Sequence, residues 1–151
     1  RQTAADVLGS VDRAATAKHL AVSRDIPDDA AFVRADPVAL RQILVNLTEN
    51  GVRYTPSGAV TLFAAREPDG VRVGVRDTGI GIAPEHLGRI FERFYRVDAA
   101  RSREEGGTGL GLAIVKHLAE AHGGAVRAES VPGQGSTISV FFPDDVNGRP
   151  A

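Results

Sequence analysis

Residues 71–76 alternate strictly: Val71, Val73 and Val75 fall on one side of an extended chain, Arg72, Gly74 and Arg76 on the other. Such a strand needs a sheet with one covered face and one wet face, the habit of antiparallel pairing. Its partner precedes it, because 59–66 also reads as a strand and Pro68-Asp69-Gly70 joins the two. A second hairpin pairs 125–131 with 137–142 around Pro132-Gly133-Gln134-Gly135. Helices must supply the covering layer. Residues 4–18 set Val7, Leu8, Val11, Ala14 and Ala15 at helical spacing. Asp36-Pro37 opens a second helix, Asp36 as N-cap and Pro37 at N1, with Leu40, Ile43, Leu44 and Leu47 on its apolar face. It ends near Tyr54, before Pro56 and Gly58. A third helix, 109–122, turns Leu110, Ala113, Ile114 and Leu118 to the core. Short strands are expected at 20–26 and 31–34, and a short helix at 84–91. Residues 96–107 lack apolar periodicity and are expected to form a mobile loop. The fold class is α+β: a two-layer sandwich, its mixed and mostly antiparallel sheet covered on one face by helices. It spans 1–143, with a polar tail at 144–151.

A chain of 151 residues is one domain by length, and 42% hydrophobic with 25% charged residues is ordinary globular composition. A net charge of -1 argues against a nucleic-acid groove or a basic membrane face. No apolar run is long enough to span a bilayer. With no Cys there is no disulfide or thiolate metal site, and His19, His86, His117 and His122 lack metal-ligand spacing. There is no Met, even at residue 1, so the chain is expected to be a piece of a longer protein. Of the 18 basic residues 16 are Arg, a bias of composition rather than of function.

Chemistry concentrates in a few motifs. Asn46 and Asn50 sit i,i+4 on the second helix, and Arg53 continues their stripe opposite the Leu/Ile face. Amide oxygens can ligate Mg²⁺ and a guanidinium can fork onto phosphate; a solvated helix face is the plainer reading. Asp77-Thr78-Gly79-Ile80-Gly81 ends a strand, where the glycines permit a sharp turn close to a ligand and Asp77 is an acceptor for the exocyclic amine of a base; an ordinary Asp-x-Gly turn is the alternative. Gly107-Thr108-Gly109-Leu110-Gly111-Leu112 opens a helix, and its free N–H groups suit an anion. Its spacing matches neither a dinucleotide fingerprint nor a Walker A loop, and a glycine hinge explains it as well. Phe91 and Phe94, three apart, fit one turn packed into the core, with Arg96 following them. Gly133-Gln134-Gly135-Ser136-Thr137 reads alone as a hairpin turn.

The order and spacing of these motifs together resemble the N, G1, F, G2 and G3 boxes of sensor histidine kinases, over roughly 36–142. Residues 91–111 look most like the phosphate-responsive type. The resemblance implies the Bergerat fold of the GHKL group, ATP and Mg²⁺ as ligands, and transfer of the γ-phosphoryl group to a His. It implies that Asp77 bonds the adenine amine, that Asn50 holds the metal, and that Asn46 lines the phosphate and metal region. Arg53 and Arg96 match phosphate contacts, Tyr54 an aromatic beside the nucleoside, and Thr137 a position near the adenine. Gly79 and Gly81 belong to the G1 turn. Gly107, Gly109, Leu110 and Gly111 match the phosphate end of an ATP lid. Gly51 departs from the family's usual Ala and implies a helix looser by up to about 1 kcal/mol.

In related ATPases of the gyrase and Hsp90 type the residue matching Asn46 is a Glu that activates the attacking nucleophile. An amide cannot accept that proton, so the acceptor must supply its own nucleophile, as a His imidazole does near neutral pH. None of the four His here sits in the family's acceptor motif. The resemblance therefore implies partners outside the chain: a His-bearing dimerisation domain, a response regulator, and a homodimeric parent. It implies the cytoplasmic portion of a bacterial sensor kinase anchored in the inner membrane, with the isolated domain a monomer. A non-catalytic nucleotide-sensing module and a GHKL-type ATPase are the alternatives.

Overall fold

The structure, a computed structural model, describes residues 2–95 and 110–144. Its elements run α1 (Gln2–Ala17), β1 (Ala21–Asp25), a 3-10 turn (Asp28–Ala30), α2 (Pro37–Arg53), β2 (Ala59–Glu67), β3 (Gly70–Asp77), α3 (Pro84–Leu87), α4 (Gly111–Ala121), β4 (Ala125–Val131) and β5 (Gly135–Pro143). The sheet order is β1-β2-β3-β5-β4. β1 pairs parallel with β2 and every other pairing is antiparallel, giving the expected mixed sheet. The alternation in β3 is realised: Val71, Val73 and Val75 are buried with Val60 and Leu62 of β2 and Ile138, Val140 and Phe142 of β5. Helices α1 and α2 add Val7, Val11, Ile43, Leu44 and Leu47 to that core, and α4 adds Val115 and Ala119. On the other face Arg76 pairs with Asp25 and lies over the Phe63 ring, while Arg72 bonds Glu67 and Ser139 and lies over Phe141.

α1 stops in a Schellman turn. The Leu20 N–H reaches the Ala15 carbonyl at 2.9 Å and the His19 N–H reaches Thr16 at 3.0 Å. His19 takes the left-handed conformation (φ 58°) that glycine usually fills. α2 starts as expected, its Asp36 carboxylate accepting from the Ala39 N–H at 2.8 Å with Pro37 behind it.

Four expectations need correction. No strand forms at 31–34: the segment stays irregular and packs Val33 and Ala35 on the core rather than pairing at a sheet edge, and Phe32 is left exposed. The helix expected at 84–91 closes after Leu87. Phe91 packs against the core, but Phe94, at φ 64°, stands 67% exposed. The core face of α4 is Leu112, Val115 and Ala119 with Leu118 at its margin; Ala113 is half-buried and Ile114 is exposed. Residues 112–115 are four consecutive apolar residues, and one helix face cannot take them all. The loop at 96–107 and the tail beyond Asp144 lie outside the described residues. Among the described residues no helix is long and apolar enough to cross a membrane.

Candidate functional site

α2 presses its Ile43, Leu44, Leu47, Thr48, Gly51 and Val52 face against the core. The stripe that remains carries Asn46, Asn50, Arg53 and Tyr54, all half-buried. At one end, the Asn46 amide donates to the Gly111 carbonyl at 3.2 Å and its oxygen accepts from Gln42 at 3.1 Å. The first turn of α4, with half-buried Leu110 and Gly111, thus lies beside the stripe. The Asn50 amide makes no hydrogen bond with any described residue, which leaves its oxygen available for a cation. No group of three or more His, Cys, Asp or Glu could hold a metal ion among the described residues. A hard cation here would take amide oxygen from Asn50 and most of its remaining oxygens from the ligand and water, the usual arrangement for Mg²⁺ on a nucleotide.

At the other end of α2 stands Asp77, the last residue of β3. Its Oδ1 accepts from the N–H of Gly79 at 2.9 Å and of Ser136 at 3.2 Å. Burial pushes the Asp77 carboxyl above its usual range, and the N–H groups of Gly79 and Ser136 offset part of that. The Thr55 hydroxyl, fully buried, also favours the charged carboxylate, although it meets no strict hydrogen-bond geometry. Two glycines make this turn possible. A Cβ on Gly79 would sit 2.2 Å from the Tyr54 carbonyl oxygen, and Gly81, at φ 75°, would drive one to 2.4 Å from the Val131 carbonyl oxygen. The Ile80 N–H donates to Tyr54 O at 3.2 Å, and Gly133 donates to Ile80 O at 2.8 Å. The 77–81 turn is therefore clamped between the end of α2 and the β4–β5 hairpin.

Asn46, Asn50, Arg53, Tyr54, Asp77, Gly79, Leu110 and Gly111 thus gather along one edge of α2, with Gly81 against the β4–β5 hairpin. Arg96, Gly107 and Gly109 lie outside the described residues. Thr137 lies at the Asp77 end of the site, but on the other face of its strand. It is paired in register with Arg76 and Glu129, and it lines a shallow cleft of about 300 Å³ together with Asp77, Ser136 and Gln134. Its neighbour Ser136 is the one opposite Asp77. Counting by twos from the core residue Ile138 identifies Ser136 as the residue on the Asp77 side. Thr55 was also missed, and only its burial against the Asp77 turn marks it.

This geometry offers an acceptor carboxylate at one end, amides and a guanidinium along the middle, and a helix N-terminus at the other. It suits an elongated ligand with an amine-bearing ring and an anionic tail. Comparison with known proteins agrees. The model of the histidine kinase-, DNA gyrase B-, and HSP90-like ATPase family matches residues 35–146. The sensor histidine kinase WalK of Bacillus subtilis is 40% identical over 129 residues, 83% of this chain and 21% of WalK. The phosphate regulon sensor protein PhoR of Pseudomonas aeruginosa is 45% identical over 114 residues, 75% of this chain and 26% of PhoR. Full-length ShkA, solved in complex with AMPPNP, superposes with a TM-score of 0.79 at 34% identity, over 94% of this chain and 30% of ShkA. The chain spans less than a third of the length of each of these relatives. By fold, motif order and sequence, it belongs to the family of histidine kinase-, DNA gyrase B-, and HSP90-like ATPases.

Proposed function

We propose that this chain is the catalytic domain of a sensor histidine kinase, binding ATP with Mg²⁺ and passing the γ-phosphoryl group to a His outside the chain. The observation that carries the reading is the continuous strip from Asp77 along α2 to the first turn of α4. Asp77 accepts the exocyclic amine of adenine, with Ser136 holding the carboxylate and Thr137 lining the same cleft. Tyr54 borders the nucleoside. Arg53 holds phosphate oxygens, joined by Arg96. Asn50 offers its oxygen to Mg²⁺, which when bound neutralises phosphate charge. The N–H groups at Gly107, Gly109, Leu110 and Gly111 receive the anionic tail. A neutral amide at position 46 leaves no carboxylate base there, so the acceptor imidazole brings its own lone pair. Its nitrogen bonds the γ-phosphorus, the bond to the β-phosphate oxygen breaks, ADP departs and the imidazole proton goes to solvent. The chain's share is positioning and charge neutralisation.

The same reading places the domain in the cytoplasm, within a homodimeric, membrane-anchored parent that serves a response regulator; 1–143 is the folded unit. Supplying a His-bearing dimerisation segment with γ-labelled ATP tests it. Label on His, acid-labile and lost with Asp77→Asn, is the expected result. ATP binding without transfer would reduce the chain to a sensing module, and steady hydrolysis by the chain alone would make it an ATPase.

A further inference from the structure

α2 ends where its backbone is hardest to satisfy. The carbonyl of Val52 would pair with the N–H four residues on, but that residue is Pro56 and has none. Lys18 fills the gap. It is the C-cap of α1, and the Schellman turn through His19 aims its side chain across to α2. Its ammonium donates to Val52 O at 2.8 Å and to Arg53 O at 2.9 Å. The next carbonyl, Tyr54 O, is taken by the Ile80 N–H of the Asp77 turn. Three consecutive carbonyls are thus held from two sides. A positive charge also complements the negative end of the helix dipole. Residue choice points the same way. Arg outnumbers Lys by 16 to 2, and the other lysine, Lys116, sits on the surface within 4.0 Å of Glu120. Two neighbouring carbonyls suit a compact ammonium with freely directed donors better than a planar guanidinium.

We propose that Lys18 is a positioning residue for the nucleotide site. By capping α2 it fixes the backbone of Arg53 and Tyr54 against the Asp77 turn, and it ties both to α1. The inference rests on the nucleotide reading above only for its effect on binding; its effect on the backbone stands alone. The test compares this chain with Lys18→Met, which keeps the stem and removes the donors, and with Lys18→Arg. Amide exchange is followed at Tyr54, at Ile80 and, as reporters of global opening, at Val73 and Val140. Mg·ATP affinity is measured alongside. In Lys18→Met, exchange at Tyr54 and Ile80 should quicken about tenfold, with much smaller changes at Val73 and Val140, and the Kd for ATP should rise about fivefold. Lys18→Arg, which keeps the charge but not the freely directed donors, should recover only part of the affinity. Uniform acceleration at all four amides would reduce Lys18 to general stability, and unchanged exchange at Tyr54 and Ile80 would overturn the proposal outright. Wild-type ATP affinity in Lys18→Met despite local loosening would overturn the link to binding. If the unaltered chain does not bind ATP, the nucleotide reading fails, and the exchange measurement still decides what Lys18 does.

Discussion

Replacing Gly51 with Ala sets two effects of similar size against each other. In an exposed helix the change would add about 1 kcal/mol, because glycine has more backbone entropy to lose. At this site the new Cβ would lie 3.1 Å from a Val75 methyl and 3.2 Å from a Val60 methyl. Carbon atoms pack best at about 3.5–4.0 Å. A gap of several tenths of an ångström must therefore open against two strands at once. Val60 and Val75 are both buried, and β-branched side chains have little rotamer freedom with which to yield. Overpacking of this kind costs about 1–3 kcal/mol, so Gly51→Ala should be net destabilising by about 1 kcal/mol. The assay is urea unfolding, with a lower midpoint at unchanged slope. Because α2 carries Asn46, Asn50 and Arg53, lifting it off the sheet should weaken Mg·ATP binding as well. A gain of about 1 kcal/mol would refute the reasoning, since it would mean that helix and sheet separate freely and that glycine here is only a poor helix former.

The Asp77 carboxyl is raised by burial above its unfolded value of 3.8, so its ionisation costs stability that is present below that value and lost as pH rises through the folded pKa. Asp77→Asn keeps an oxygen acceptor for Gly79 and Ser136, and should therefore raise the unfolding midpoint at pH 7, by less as pH falls, while weakening ATP binding; a lower midpoint at pH 7 would count against it. Thr48 is fully buried in the middle of α2 and its hydroxyl has no partner among the described residues, so the near-isosteric Thr48→Val should stabilise by about 1 kcal/mol in thermal unfolding. His19→Gly relieves a left-handed residue at the end of α1 and should add about 0.5–1 kcal/mol by denaturant titration; a loss would show that the His19 ring makes a compensating contact.

Some of this molecule is legible in its sequence and some is not. Period and capping are local. The alternation of 71–76 found β3 and its covered face, Asp36-Pro37 found the start of α2, and the i,i+4 pair placed Asn46 and Asn50 on one stripe. Where two periodic solutions compete, sequence cannot choose. Residues 112–115 are apolar throughout, and only the position of α4 against α2, β4 and β5 turns Val115 inward and Ile114 out. Core packing is equally non-local: 31–34 has strand-like residues, yet Val33 and Ala35 are spent on the hydrophobic core and the segment pairs with neither sheet edge. For the site, the motifs located the Asp77 turn but not what holds it. Thr55, Ser136 and Lys18 belong to three other elements, and each acts through a contact far along the chain. Gly51 reads locally as a flaw in a helix. Its effect depends on two valines on other strands, 9 and 24 residues later, whose methyls lie 3.1–3.2 Å from where a Cβ at 51 would sit. A residue that weakens its own helix can therefore spare that helix a crowded contact with the sheet.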